Sequence, residues 1–281
     1  MKLLFATTCQ NSLHIEELYK SILRGNKTLD LCVISLLQKG VKIEKNLYEN
    51  DFTKFVFLYT DCGYGLSKAR NIIIDYIIKN HITFDYIMFP DDDSTFDASF
   101  FDNFCNLVFC DSLISVYNQN TKIPYKLDYK RFTYAGVNSF ELAMSVNIII
   151  SYETFINVGY FDENMGVGAK YGAGEDGDYF IRCCNENSRG FNVVHNLYNF
   201  HPANTQKFKQ LTLNALIKRY RTYGEGAIYL CIKHKLYGKA IKYIVFGIFG
   251  AMHALICWNM KLFVAKLFGT YYRFVTLLKL I

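Results

Sequence analysis

The first two hundred residues alternate short apolar runs with amphipathic stretches, the pattern of strands and helices taking turns. Leu3 to Ala6 reads as a first strand. Ser12 to Leu23 reads as a helix with Leu13, Leu18, Ile22 and Leu23 on its inner side, and Leu31 to Leu37 and Phe55 to Tyr59 read as further strands. The segment DCGYGLSKARNIIIDYIIKN joins a glycine turn to apolar residues at 69, 72, 73, 76 and 77, a helical spacing with Ser67 as its N-cap. Tyr86 to Phe89 is a short buried strand that runs into Pro90 and three aspartates. Residues 118 to 140 are polar and aromatic without a period, and are expected to form a loop of the kind that binds an acceptor or covers a site. Leu142 to Ile150 is a strand, and Gly159 to Gly174 a glycine-rich loop. A helix then opens at GEDGDYF and ends before Gly190, after which Phe191 to His195 and Leu197 to His201 complete the sheet. This order predicts an α/β domain over residues 1–215, a mostly parallel central sheet flanked by helices.

A chain of 281 residues can bury a core without disulfides or a structural metal. Its nine cysteines form no C-x-x-C pair, and their odd number leaves at least one unpaired, so they are expected to be reduced thiols of the cytosol. The opening MKLLFATTCQNS is too weakly apolar for a signal peptide.

Charge changes the picture. From residue 216 onward eleven Lys or Arg face one acid, Glu225, a net of +10, whereas residues 1–215 hold 20 basic against 24 acidic groups, a net of −4. Such a tail is built to meet an anionic surface. Tyr243 to Trp258 (YIVFGIFGAMHALICW) has no Lys, Arg, Asp or Glu and many large apolar side chains, which selects lipid over nucleic acid. The stretch is shorter than the roughly twenty residues that span a bilayer. Lys239 and Lys242 precede it and Lys261 and Lys266 follow it, so neither orientation is favoured. Residues 216–281 are therefore expected to be a helical, membrane-associated extension, interfacial or re-entrant at the cytoplasmic face of the inner membrane. Oligomeric state leaves no mark on the sequence.

The strongest chemical signal is FPDDD. In an extended segment Asp91 and Asp93 point to one side while Asp92 turns elsewhere. Two hard oxygen ligands suit Mg²⁺ or Mn²⁺ shared with substrate phosphate. The bland alternative is an acidic turn capping the helix that starts near Asp97. The apolar strand just before the triplet favours the ligand reading, because the ends of sheet strands are where open α/β sheets bind ligands. Glu175 and Asp176 open a helix after a glycine-rich approach. They either complement its positive end or supply a general base, Asp176, with Asp178 in reserve. His201 ends the last strand as a structural residue or as a third metal ligand, with His195 the weaker choice. Lys68, Arg70 and the backbone of the GLSKARN turn are partners for a diphosphate.

Taken in order, Thr7 and Thr8 on the first strand, GLSKARN, FPDDD, GYFDENMG, GEDGDYFIRC and a His about ten residues past a Gly resemble glycosyltransferase family 2, over roughly residues 1–205. The likeness is greatest to bacterial enzymes that build capsule, O-antigen and other surface polysaccharides. It implies a GT-A fold and the D-x-D metal pair Asp91 and Asp93, with Asp93 the direct ligand of Mn²⁺ or Mg²⁺ and His201 the third. It also implies Asp176 as base with Glu175 as partner, and Ser67, Lys68 and Arg70 against the nucleotide, with Thr7 and Asp92 on the donor side. The family's acid after the second strand is missing from LCVISLLQKG, and Asp61 takes over part of its work. No Q-x-x-R-W signature of processive synthases is present. The implied activity is inverting transfer from a nucleotide-diphosphate sugar, a UDP-sugar by family analogy, to a hydroxyl of a lipid-linked saccharide. Transfer to polyprenyl phosphate, nucleotidyl transfer and a non-catalytic nucleotide-sugar-binding scaffold are the alternatives.

Overall fold

The computed structural model of the chain describes residues 1–44, 48, 50–125, 133–187, 190–202 and 210–281. Part of the long polar loop, 126–132, lies outside them. The chain divides into two compact units, Met1–Phe161 with Asp176–Ala203, and Asp162–Glu175 with Asn204–Ile281. The segment Asp162–Glu175, expected within a domain of residues 1–215, groups with Asn204–Ile281.

In the first unit the described strands are β1 (Lys2–Cys9), β2 (Asp30–Leu37), β3 (Thr53–Tyr59), β4 (Tyr86–Met88), β5 (Ser112–Asn118), β6 (Tyr134–Ala135), β7 (Ile148–Ser151) and β8 (Phe191–His201), ordered β3-β2-β1-β4-β7-β5-β8-β6. The β3-β2-β1-β4 half is parallel. β7 is antiparallel to both β4 and β5, β8 is parallel to β5, and the short β6 is antiparallel at the edge. The sheet is thus mixed. Two antiparallel steps at β7 restore the original direction, so β1, β4, β5 and β8 all end at the same edge.

Helices α1 (Ser12–Gly25), α2 (Leu66–Lys79), α3 (Ala98–Leu107), α4 (Tyr152–Val158) and α5 (Glu175–Glu186) alternate with the strands. Central strands covered on both faces lose the usual apolar/polar alternation, and β1 is buried at Leu3, Leu4, Phe5, Ala6 and Thr7 in succession. In α1 the buried stripe is Ile15, Leu18, Tyr19 and Ile22. Leu13 was expected on the inner side but is 76% exposed, because it sits in the first turn outside that stripe. Phe100, Phe101 and Phe104 of α3 pack with Phe5 and Phe96 in the same cluster, Phe5 and Phe96 with ring centroids 4.8 Å apart. Each such fully buried ring contributes ~1.5–3 kcal/mol.

Three boundaries differ from the sequence reading. α2 begins at Leu66 with Gly65 as N-cap, since the Ala69 amide already donates to the Gly65 carbonyl (2.9 Å), and Ser67 is buried inside the first turn. The expected strand 142–150 is 3₁₀ turn up to Asn147, and only Ile148–Ser151 is strand. The buried Asn147 amide bonds the carbonyls of Ile114 and Leu142, which holds that turn in place. The two strands expected after Gly190 are one strand, β8, with a bulge where Val194 pairs with Ile114 but Tyr198 with Ser115.

In the second unit α6 (Leu213–Lys233), α7 (Tyr237–Ile256) and α8 (Met260–Leu280) pack together and carry the segment 162–175. Small residues allow the contacts. A Cβ on Gly226 of α6 would lie 2.2 Å from the Ala173 carbonyl oxygen, and one on Gly224 2.9 Å from the Gly269 carbonyl oxygen of α8. Asp162 is held by Lys233 (2.7 Å) and Tyr229 (3.2 Å), and the Tyr171 and Tyr229 rings stack with centroids 4.0 Å apart.

Candidate active site

The acidic triplet follows β4 at the sheet edge where β1, β4, β5 and β8 end. The segment after it is stitched to β8 by two backbone hydrogen bonds of 2.9 Å, Thr95 amide to Phe200 carbonyl and Phe200 amide to Thr95 carbonyl. This places His201, the next residue of β8, beside the aspartates. Its Nε2 lies 3.1 Å from Asp93 Oδ1 and 3.4 Å from Asp91 Oδ2. One ligand atom from each of Asp91, Asp93 and His201 falls within 4.8 Å of the others. Ligands ~2.1 Å from a Mg²⁺-sized cation sit roughly 3 Å apart when adjacent, and the His201 separations of 3.1 and 3.4 Å from the two carboxylates match such adjacent positions around a divalent cation. The helix-capping alternative is taken up elsewhere: Asp97 caps α3, accepting from the Phe100 amide (3.2 Å).

Asp92 does turn away, toward Cys9. Burial, with Asp93 and Asp91 nearby, raises its carboxyl to about 6, and burial and Asp92 raise the Cys9 thiol to about 12. For His201, burial alone would lower the imidazole. The hydrogen bonds and charges of Asp91 and Asp93 overcome it and raise the group to about 10. Tyr125 is at 3.3 Å from His201 Nδ1, and its hydroxyl donates to the His201 carbonyl at 3.1 Å.

Arg70 is nearly fully buried and lies between two acids: Nη1 is 2.9 Å from Asp176 Oδ1 and Nη2 is 3.3 Å from Asp91 Oδ1. Its guanidinium also lies 5.1 Å from the centroid of the Phe161 ring. The sequence reading placed Arg70 against a diphosphate; here its charge is engaged by the carboxylates. Burial raises Asp176 above the usual carboxylate range, and the Arg70 charge and a main-chain hydrogen bond from Ser145 oppose that rise. The Ser145 hydroxyl donates to Asp91 Oδ1 at 3.2 Å. Asp178, two residues on, is fully buried and paired with Arg182 (3.0 Å), whose Nη1 also bonds the Val158 carbonyl. Glu175 is buried at the first position of α5.

Of the remaining predicted residues, Thr7 is shut off from solvent in β1 and Thr8 is the half-buried member of the pair. Lys68 is exposed, 5.3 Å from the Tyr64 ring centroid. The turn before α2 is held by Gln38, which accepts from the Tyr64 amide (2.7 Å), and by Gln10, which donates to the Tyr64 carbonyl (2.9 Å). Asp61 is exposed and, with Tyr59, Thr60 and residues 40–43, lines a cavity of about 370 Å³ at the ends of β2 and β3. His195 sits in the β8 bulge, away from the ligand group. Ser145 and Tyr125 were not foreseen. Ser145 and Asn147 are the polar residues within the apolar run of 142–150, the signal that this run is not a plain strand.

No protein-family profile matches the chain, and no curated protein matches it by sequence. By structure it is similar to S. aureus TarS 1-349, with a TM-score of 0.54 and 12% identity over 98% of this chain and 92% of that one. The same fragment in complex with UDP-GlcNAc gives a TM-score of 0.53 at 12% identity, with the same coverage. Mannosyltransferase PcManGT from Pyrobaculum calidifontis, in complex with GDP-Man and Mn²⁺, gives 0.55 at 12% identity over 98% of this chain and 86% of that one. Against a longer TarS structure the chain spans 43% of the neighbour's length. The fold is the α/β, GT-A-like fold of these glycosyltransferases.

Proposed function

We propose that the protein is a metal-dependent, inverting glycosyltransferase that uses a nucleotide-diphosphate sugar. The observation that carries this reading is the convergence of Asp91, Asp93 and His201 on one cation-sized space, with Arg70 tying Asp91 to Asp176. The similar folds of glycosyltransferases that bind UDP-GlcNAc or GDP-Man with Mn²⁺ support it. Asp91, Asp93 and His201 would hold the cation, and the imidazole nitrogen favours Mn²⁺ over Mg²⁺. When bound, the metal neutralises the charge that develops on the departing diphosphate.

The chain's own groups do the rest. Asp176, partly open to solvent and more basic than an ordinary carboxylate, takes the proton of the acceptor hydroxyl as that oxygen bonds the anomeric carbon. The bond from that carbon to the diphosphate breaks with its electron pair on the phosphate oxygen. Arg70 fixes the base relative to Asp91, and so keeps the two halves of the site in register. Asp178 is committed to Arg182, which leaves Asp176 as the base. Glu175 orients acceptor or donor sugar beside it. The cavity at Asp61 receives the nucleoside, and Thr8 and Lys68 flank the diphosphate path, while Ser67, buried inside the first turn of α2, does not reach it.

The acceptor is a lipid-linked saccharide. The support for this is the second unit, where Phe246, Phe249, Ile256 and Trp258 are exposed on or beside an α7 long and apolar enough to cross a membrane, amid a strongly basic tail. The protein then works at an anionic membrane surface in the synthesis of a surface polysaccharide.

Release of nucleoside diphosphate from a panel of nucleotide sugars, with and without Mn²⁺, tests the reading. Asp176→Asn is expected to lower turnover by ~10²–10⁴-fold with donor binding nearly intact. Wild-type turnover in that variant would remove the base assignment. Release of pyrophosphate in place of a nucleoside diphosphate would mark nucleotidyl transfer.

A further inference from the structure

Five of the exposed apolar residues of α7, Ile241, Val245, Ile248, Met252 and Leu255, fall at steps of four, three, four and three that trace one stripe along the helix, and Tyr237, Phe246, Phe249 and Ile256, also exposed, widen that apolar face. A second stripe runs along α8 through Leu267, Tyr271, Phe274 and Leu278 to Ile281 just past its end, with Phe268 exposed beside it. The opposite faces are small: Ala240, Gly247, Ala251 and Ala254 on α7, Ala265, Gly269 and Thr270 on α8, all buried. Lys266 Nζ donates to the Gly250 carbonyl (3.1 Å) and Arg273 Nη1 to the Tyr243 carbonyl (3.2 Å), so the two helices run antiparallel with cations between their middles. Lys239 and Lys242 open α7, Lys261 follows the turn between the helices, and Lys279 lies at the far end of α8.

By length and composition α7 alone could cross a bilayer. The pair could not do so cheaply. Basic side chains recur along its axis, and upright insertion would carry Lys266 and Arg273, which lie at the levels of Gly250 and Tyr243, into the hydrocarbon with no acid on either helix to pair them. Lying flat removes the conflict, because the stripes run lengthwise, from Ile241 to Leu255 on α7 and from Leu267 to the C-terminal end of α8, and can meet the boundary along their whole extent. We propose that α7 and α8 lie along one leaflet of an anionic bilayer, with their apolar stripes in the headgroup–acyl boundary, and do not span it. This rests on the membrane reading above and adds the mode of attachment. Charge selects the occupant: a second copy of the chain would bring a second tail of eleven cations and one acid, which repels, while anionic lipid attracts.

Trp258, the sole tryptophan, is 90% exposed at the turn between α7 and α8 and reports the outcome directly. The full chain is added to preformed phosphatidylcholine vesicles with or without about one third phosphatidylglycerol. Trp258 emission is expected to shift to shorter wavelength on the anionic vesicles and less so at high salt. Iodide outside the vesicles is expected to quench it, and iodide trapped inside is not. Met252→Glu is expected to bind these vesicles about tenfold more weakly than Met252→Leu. Quenching by trapped iodide would mean that α7 spans, which overturns the flat arrangement but leaves membrane attachment standing. No shift on any vesicle would sink membrane attachment itself. A shift that grows with protein concentration in the absence of vesicles would show that a second copy covers the stripes, and would overturn the proposal.

Discussion

At His201 the two ring nitrogens have different partners. The single proton of the Tyr125 hydroxyl goes to the His201 carbonyl oxygen at 3.1 Å, so the phenol oxygen faces Nδ1 at 3.3 Å as an acceptor. That keeps the ring proton on Nδ1 and turns Nε2 toward Asp91 and Asp93. Outer partners of metal-ligating histidines typically matter by ~10–100-fold in affinity. Tyr125→Phe should therefore weaken Mn²⁺ binding by that order, measured by the spin-resonance signal of free Mn²⁺; unchanged affinity would count against this role. The metal-free imidazole, raised to about 10, also predicts a pH dependence. Its proton stabilises the metal-free fold fully below its ordinary value of 6.5, and that contribution is lost as pH rises through about 10. Bound metal must displace the same proton, so Mn²⁺ affinity should rise with pH over this range, with proton release seen by calorimetry in two buffers. The grouping of Asp91, Asp93 and His201 was legible because the preference of such side chains for one another around a cation is written in residue type and spacing. The pairing of Arg70 with Asp91 and Asp176 was not legible, since a sequence gives a charge but not what lies opposite it. Ser145 and Tyr125 act through contacts between residues far apart in the chain, which no local pattern encodes.

Elements were legible where one physical rule dominated them. The runs 31–37 and 55–59 and the α2 stripe needed only periodicity, whereas the turn at 142–147 is set by Asn147 reaching the Ile114 and Leu142 carbonyls. Likewise the β8 bulge is a register shift against β5, and register belongs to the pair of strands, not to either sequence. The contact of α6 with the 162–175 segment tests a rule of close approach. A methyl group on Gly226 would sit 2.2 Å from the Ala173 carbonyl oxygen and 2.9 Å from the Ala173 amide nitrogen. Backbone cannot yield as a side chain tip can, so the segment must move. Gly226→Ala is expected to destabilise the second unit by ~1–3 kcal/mol, the range for an overpacked site, despite the better helix propensity of alanine. Thermal unfolding followed by circular dichroism would measure it, and an unchanged or raised midpoint would show that the close contact is not there.

On the scale of the whole molecule, two compact units of opposite charge share one chain. The residues proposed for catalysis, other than Glu175, belong to the first unit, and Trp258 belongs to the second. A single two-state transition is not expected for such a chain. A ligand that binds only the native first unit should stabilise that unit by mass action, ~2.7 kcal/mol at a hundredfold excess over its dissociation constant. Mn²⁺ with a nucleoside diphosphate should therefore raise the transition reported by hydrogen exchange in β1, β2 and β4. The transition reported by Trp258 fluorescence should stay close to its unliganded temperature. Chelation should reverse the first effect without unfolding either unit, because the cores of both are apolar side chains and the donor set sits at a strand edge. Were chelation to melt the first unit, the Asp91, Asp93 and His201 group would be a folding site and its assignment to substrate would have to be withdrawn. Were the Trp258 transition to move in step with the other, the two units would be one cooperative body, and the tail would be part of the donor response and not only the means of attachment.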